Sequence, residues 1–96
     1  MKLIWTEPAV LDLEKIKEYV SRDSEYYALN LIENIFESVE KLKEFPNIGR
    51  VVPEYQDKKL REILYYNYRI IYKVKDNQLA VLAIIHGARE ISNQKP

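Results

Sequence analysis

The stretch that most restricts how this chain can fold is LREILYYNYRIIYKVKDNQLAVLAIIHGARE, Leu60 to Glu90. It reads as three β-strands in succession. Tyr68 to Val74 and Leu79 to Ile85 are both β-branched and aromatic, and the polar break Lys75-Asp76-Asn77-Gln78 between them suits a tight turn. A turn on Asp76-Asn77 sets Val74 against Leu79, Tyr72 against Val81, Ile70 against Ala83 and Tyr68 against Ile85. Side chains alternate between faces along a strand, so these eight residues form one apolar face. The other face carries Asn67, Arg69, Ile71 and Lys73 opposite His86, Ile84, Leu82 and Ala80. In this register Arg69 and His86 emerge on the same face, one diagonal step apart. A slip of one residue would drive Arg69 and Lys73 into the apolar layer.

The rest of the chain reads as cover for this sheet. Lys2 to Trp5 is a candidate first strand. Thr6-Glu7-Pro8 is a helix start, with Thr as cap, Pro in the first turn and Glu at the positive end of the helix dipole. Ala9, Leu13, Ile16 and Val20 follow at helical spacing. After the polar break Ser21 to Ser24, a longer stripe runs through Ala28, Ile32, Ile35, Val39 and Leu42, widened by Leu31 and Phe36, and Pro46 ends it. Two amphipathic helices joined by so short a break form an antiparallel hairpin, and the apolar face of the sheet is their partner. The expected architecture is a two-layer α+β domain, β-α-α-β-β-β, over residues 1–90, with 91–96 as a frayed tail. The face assignment of Leu60 to Tyr65 stays open, because a two- or three-residue turn at Tyr65-Tyr66-Asn67 decides whether Arg61 or Glu62 joins Arg69.

Composition narrows the chemistry. Ninety-six residues make one domain, and the absence of cysteine excludes disulfides and thiolate metal sites. No cofactor or metal motif is visible. No run reaches the roughly 18 apolar residues of a membrane helix and none resembles a signal peptide, so a cytoplasmic location is expected. Fifteen basic residues balance fifteen acidic ones. A nucleic-acid binder usually carries a basic excess, since phosphate neutralisation supplies most of its affinity. Any such patch here is local: most acids fall within residues 7–62, while Arg69, Lys73, Lys75 and Arg89 lie beyond them.

Arg69 has a bland reading, an arginine whose stem lies along a solvated sheet face. Its functional reading is a guanidinium fork for a phosphate or carboxylate. His86, beside Gly87, is the base or acid that would complete a minimal kit for cleaving RNA by in-line attack of the 2′-hydroxyl. Arg89 lies three residues on, past a glycine bend. The loop Pro46-Asn47-Ile48-Gly49-Arg50 with Pro53-Glu54 reads as a connector, from which Arg50 and Glu54 reach toward the same face, Glu54 as an alternative base. Arg61 and Lys73 are weaker candidates for contact with a substrate.

The set IxWTEPAxxDLxxI, FPNIGRxVPE, LRE, NYRIIYKV and IIHGARE, in this order and spacing from Leu3 to Glu90, resembles the RelE/ParE superfamily of toxins from bacterial type II toxin–antitoxin systems. The resemblance implies the same β-α-α-β-β-β fold, a cognate antitoxin that blocks the working surface, and either a homodimer or a heterotetramer with that antitoxin. It also implies one of two targets. RelE-like members cleave mRNA in the ribosome, with arginines at the positions of Arg69 and Arg89 and a base from a tyrosine, or from a histidine and a glutamate. ParE-like members lack that catalytic set and poison DNA gyrase. No tyrosine follows Arg89, the loop has no lysine cluster, and net charge is zero; these departures favour the gyrase branch. A third implied reading is an inactive member kept as an antitoxin partner.

Overall fold

The computed structural model describes residues 1–87. Strand β1 (Lys2–Trp5) leads into helix α1 (Glu7–Ser21) and helix α2 (Glu25–Glu40), closed by a 3₁₀ turn over Lys41–Lys43. A two-residue strand β2 (Arg50–Val51) precedes β3 (Leu60–Tyr65), β4 (Tyr68–Lys75) and β5 (Gln78–His86). The five strands form one sheet in the order β1-β5-β4-β3-β2, antiparallel except for the β1–β5 pair. The expected α+β architecture is present, with β2 as an edge addition too short to show in a sequence pattern.

The helical stripes point where their spacing says they must. Ala9 and Leu13 of α1 and Leu31, Ile35 and Val39 of α2 are buried, and with Leu42 they meet Ile70, Tyr72, Leu79, Val81 and Ile84 of the sheet. Phe36 lies at the rim of this layer, 42% exposed, its ring edge-on to Trp5 at 4.9 Å. Ser24 caps α2 through its hydroxyl, which accepts from the Tyr27 N–H. Thr6 stands at the cap position of α1 but makes no such bond. Its hydroxyl instead donates to the Val81 carbonyl at 2.7 Å, tying the start of α1 to the point where β1 leaves β5.

The β4–β5 hairpin follows the expected register only next to its turn. Asp76 and Asn77 both have positive φ, 52° and 59°, as a two-residue hairpin turn requires. Val74 faces Leu79 and Tyr72 faces Val81. There a bulge intervenes: Ile71 pairs with Ala83, leaving Leu82 as the extra residue, and beyond it Ile70 faces Ile84, Arg69 faces Ile85 and Tyr68 faces His86. The end of β5 is therefore turned over relative to the simple alternation. Ile84 and His86 lie on the helix side, while Ala83 and Ile85 lie on the side of Arg69. The shared face expected for Arg69 and His86 is corrected by this one-residue insertion.

The second face of the sheet is covered too. Val52, in the segment between β2 and β3, packs on Leu60, Ile71, Ala83 and Ile85 to form a small second cluster. The loop that leads into β2 is held by one tyrosine. The Tyr72 ring is fully buried, and its hydroxyl donates to the Pro46 carbonyl at 2.8 Å while accepting from the Gly49 N–H at 3.0 Å. Gly49 is glycine because the chain passes so close there: a Cβ would lie 2.5 Å from the Tyr72 hydroxyl and 2.7 Å from the Glu62 carbonyl oxygen.

Candidate functional site

The loop-side face of the sheet carries a buried ion network. Tyr65 pairs with Tyr68 across a two-residue turn, which settles the open question of β3: Glu62 faces Ile71 and Leu64 faces Arg69, so Glu62 and not Arg61 shares the face of Arg69. Glu62 is 1% and Arg69 7% exposed. The Arg69 Nε donates to Glu62 Oε1 at 2.7 Å. Its Nη1 and Nη2 meet the two oxygens of Glu54 at 2.8 and 2.7 Å, the two-point geometry that a planar guanidinium and a carboxylate favour. The other oxygen of Glu62 accepts from Arg50 at 2.5 Å. The buried Glu62 carboxylate would lose hydration without a partner and repel Glu54 nearby; among the described residues, the guanidiniums of Arg69 and Arg50 between and beside them balance the two charges and hydrogen-bond them. Glu54's hydrogen bonds raise the proton affinity of Arg69, and burial opposes them without prevailing, so this guanidinium is always charged.

Glu54 reaches Arg69 from a tight turn. The N–H groups of Tyr55 and Gln56 both donate to the Val52 carbonyl, and Gln56 takes a left-handed φ of 53° to make the bend. Beyond the network opens a cleft of about 550 Å³, lined by Arg50, Pro53, Glu54, Leu64, Tyr66, Arg69 and His86 among others. Its rim is apolar: Leu64 and Tyr66 are 60% and 80% exposed.

The candidate residues thus divide. Arg69, Glu54 and Arg50 come together, joined by Glu62, which sequence reasoning did not select. Its signal was available in the spacing: Glu62 and Arg69 fall on one face only if Tyr66-Asn67 forms a two-residue turn. His86 is exposed at the strand end, where it borders the cleft, but its ring stacks edge-on with Tyr68 at 5.5 Å on the helix side. Arg61 turns away from the network to donate to the Gly49 carbonyl at 2.7 Å, securing the loop. Lys73 lies between Leu60 and Ala80, far along β4. Arg89 and the segment 91–96 lie outside the described residues.

A second hollow lies between α1 and the end of β5, lined by Asp12, Lys15, Tyr19, Tyr68 and His86 among others. There the Asp12 carboxylate accepts the Ile84 N–H at 2.9 Å, just past the bulge. Burial, with help from Tyr27 and Tyr19, raises the pKa of Tyr68. Among the described residues no group of three or more His, Cys, Asp or Glu is placed to hold a metal ion, and no helix is long and apolar enough to cross a membrane.

Comparison with known proteins agrees with this fold. Toxin RelE2 of Caulobacter vibrioides is 29% identical over 89 residues, spanning 92% of this chain and 97% of that protein. A solved chain from the chromosomal ParDE toxin–antitoxin system of P. aeruginosa superposes with a TM-score of 0.73 at 27% identity, covering 90% of this chain and 95% of that one. The family described as the ParE toxin of the type II toxin–antitoxin system parDE matches residues 3–91. Nearly the whole chain carries the match, so the protein belongs to the ParE toxin family of type II toxin–antitoxin systems, whose toxins are paired with a cognate antitoxin.

Proposed function

We propose that this toxin stops growth by docking on DNA gyrase rather than by cleaving RNA. The observation that carries the reading is the state of Arg69. A phosphate clamp needs a cation with excess charge to offer, and this guanidinium is already bound along its Nε edge by Glu62 and across its outer nitrogens by Glu54. His86 stands on the other side of the sheet from it, stacked on Tyr68, away from the geometry of a base beside a clamp. The balanced charge of the chain points the same way, because a ribosome-bound nuclease gains affinity from a basic excess.

The mRNA endonuclease reading has one observation in its favour: Arg50, Glu54, Arg69 and His86 all border one cleft. In that mechanism Arg69 and Arg89 would hold the scissile phosphate, with His86 or Glu54 as the base. Pulse-labelling of DNA and protein synthesis directly after induction of the toxin alone separates the two. Early loss of DNA synthesis is expected. Early loss of protein synthesis, abolished by Arg69→Ala and by His86→Ala in folded protein, would replace the gyrase reading with the nuclease one.

A further inference from the structure

Every arginine among the described residues is paired within the molecule: Arg22 with Glu18, Arg50 and Arg69 with Glu62 and Glu54, Arg61 with the Gly49 carbonyl. Five lysines gather instead at the opposite end of the sheet from the cleft, beside the β4–β5 turn. The strand registers set Lys2, Gln78 and Lys75 side by side across β1, β5 and β4. The next row inward is Ile4, Ala80, Lys73 and Leu60 across β1, β5, β4 and β3. Residues directly opposite one another share a face, so both rows lie on the loop side of the sheet with Leu60. The cluster under Val52 takes in Leu60 but none of the lysines. Lys58 and Lys59, both exposed, extend the set beyond β3, in a turn held against β4 by the bond from the Val74 N–H to the Lys59 carbonyl. None of the five lysines takes part in an ion pair among the described residues. The acids in these segments are Asp57 and Asp76, and the Asp57 carboxylate accepts the Lys59 N–H.

We propose that this lysine-bearing end of the sheet binds the phosphate backbone of duplex DNA. A lysine is a compact charge on a flexible stem, and neutralising phosphates asks for charge rather than a fixed partner geometry. From Lys2 to the Lys58-Lys59 turn the set crosses three strand spacings, about 14 Å. The major groove of B-DNA is about 12 Å wide, so phosphates on both of its rims are within reach of the lysine stems. Composition argues against a protein in this place. Protein interfaces are poor in lysine and are anchored by aromatic residues and arginine, and the two rows contain neither. Charge balances over the whole chain, so the excess here is matched by a deficit elsewhere, and only this end presents a field that a polyanion would follow. The choice of duplex DNA over RNA rests on the gyrase reading, since duplex DNA is what gyrase acts on; the lysine face itself does not.

Fluorescence anisotropy of a labelled DNA duplex of about 20 base pairs, titrated with the toxin between about 50 and about 200 mM salt, tests this. Five phosphate contacts give a slope of log K against log salt of about −4.5. Lys73→Gln/Lys75→Gln should bring that slope to about −2.7 and weaken binding about tenfold or more at the lowest salt. Lys58→Gln/Lys59→Gln, in a turn held by backbone bonds, is a second variant with the same expectation, and melting of each variant shows that it folds. Lys15→Gln/Lys17→Gln removes the same charge from exposed positions on α1 and should leave the slope within about one of the wild type. No binding at the lowest salt, or an equal loss in the α1 control, overturns the lysine face. Tighter binding of an RNA duplex of the same sequence overturns the choice of DNA, and tighter binding of polyglutamate overturns the choice of nucleic acid. None of these outcomes involves gyrase, whose part the labelling experiment decides separately.

Discussion

Replacing Tyr72 by phenylalanine tests how the Pro46–Gly49 loop that leads into β2 is held. The ring is fully buried and stays in place in the variant, so no cavity opens and the transfer free energy is nearly unchanged. What is lost is the hydroxyl that bridges Pro46 and Gly49. Each neutral hydrogen bond contributes about 1 kcal/mol net, and a buried N–H left without a partner costs about 1–3 kcal/mol more. Part of these overlap, because the Gly49 N–H is counted in both, so a loss of about 2–3 kcal/mol is expected. For a domain of this size that corresponds to a drop of about 10–20 °C in melting temperature. Urea titration followed by far-UV circular dichroism measures it, with the exposed Tyr26→Phe as a control that should change little. The slope of free energy against urea should be unchanged, showing that the same surface is exposed on unfolding. A loss under about 0.5 kcal/mol would refute the reasoning, since it would mean the two loop groups find other partners at no cost.

Other perturbations read the same region. Gly49→Ala places a methyl against both the Tyr72 hydroxyl and the Glu62 carbonyl and should cost about 1–3 kcal/mol; in the Tyr72→Phe background its cost should fall, since one of the two clashes is gone, and a double-mutant cycle by urea denaturation checks the coupling. Glu62→Gln leaves Arg69 facing a neutral amide in a buried site and should destabilise by about 3 kcal/mol or more on the same assay, far beyond the effect of changing an exposed acid such as Glu18. Stability should also fall in alkali. Burial raises the pKa values of Tyr72 and Tyr68 above the usual 10, the former opposed in part by the Gly49 bond and Arg61. The unfolded chain therefore loses these protons first, so their contribution is complete below pH 10 and is lost as pH climbs through the raised values. Melting against pH from 8 upward should show that decline, and it should be shallower in Tyr72→Phe.

Much of this fold was legible because its signals were local. The helical stripes name their buried residues, and Asp76-Asn77 fixes the hairpin next to the turn. The register failed at Leu82 for a definable reason. The run Leu79-Ala80-Val81-Leu82-Ala83-Ile84-Ile85 is apolar at every position, and both faces of the sheet are covered there, so alternation holds no mark of where an extra residue sits. His86, four residues beyond the bulge, inherited the error. The surroundings of Arg69 were not legible, since Glu54 reaches it from a turn 15 residues away in the chain, closed by Tyr55 and Gln56 N–H bonds to the Val52 carbonyl that no periodicity encodes. Glu62 stayed an alternative to Arg61 beside Arg69, because the length of the turn at Tyr65-Tyr66-Asn67, which decides between them, was not legible in the sequence.

The internal pairing of Arg50 and Arg69 with Glu62 and Glu54 also sets the tempo at which this protein meets others. Among the described residues the charges of this cleft cancel within a few ångströms, so the cleft itself adds little field to steer a partner, and association at about 10⁵–10⁶ M⁻¹ s⁻¹ with little dependence on ionic strength is expected there. Tight holding must then come from slow departure, and neutralisation of the toxin depends on how long its partner stays and how much of it is present when the toxin leaves the ribosome that made it.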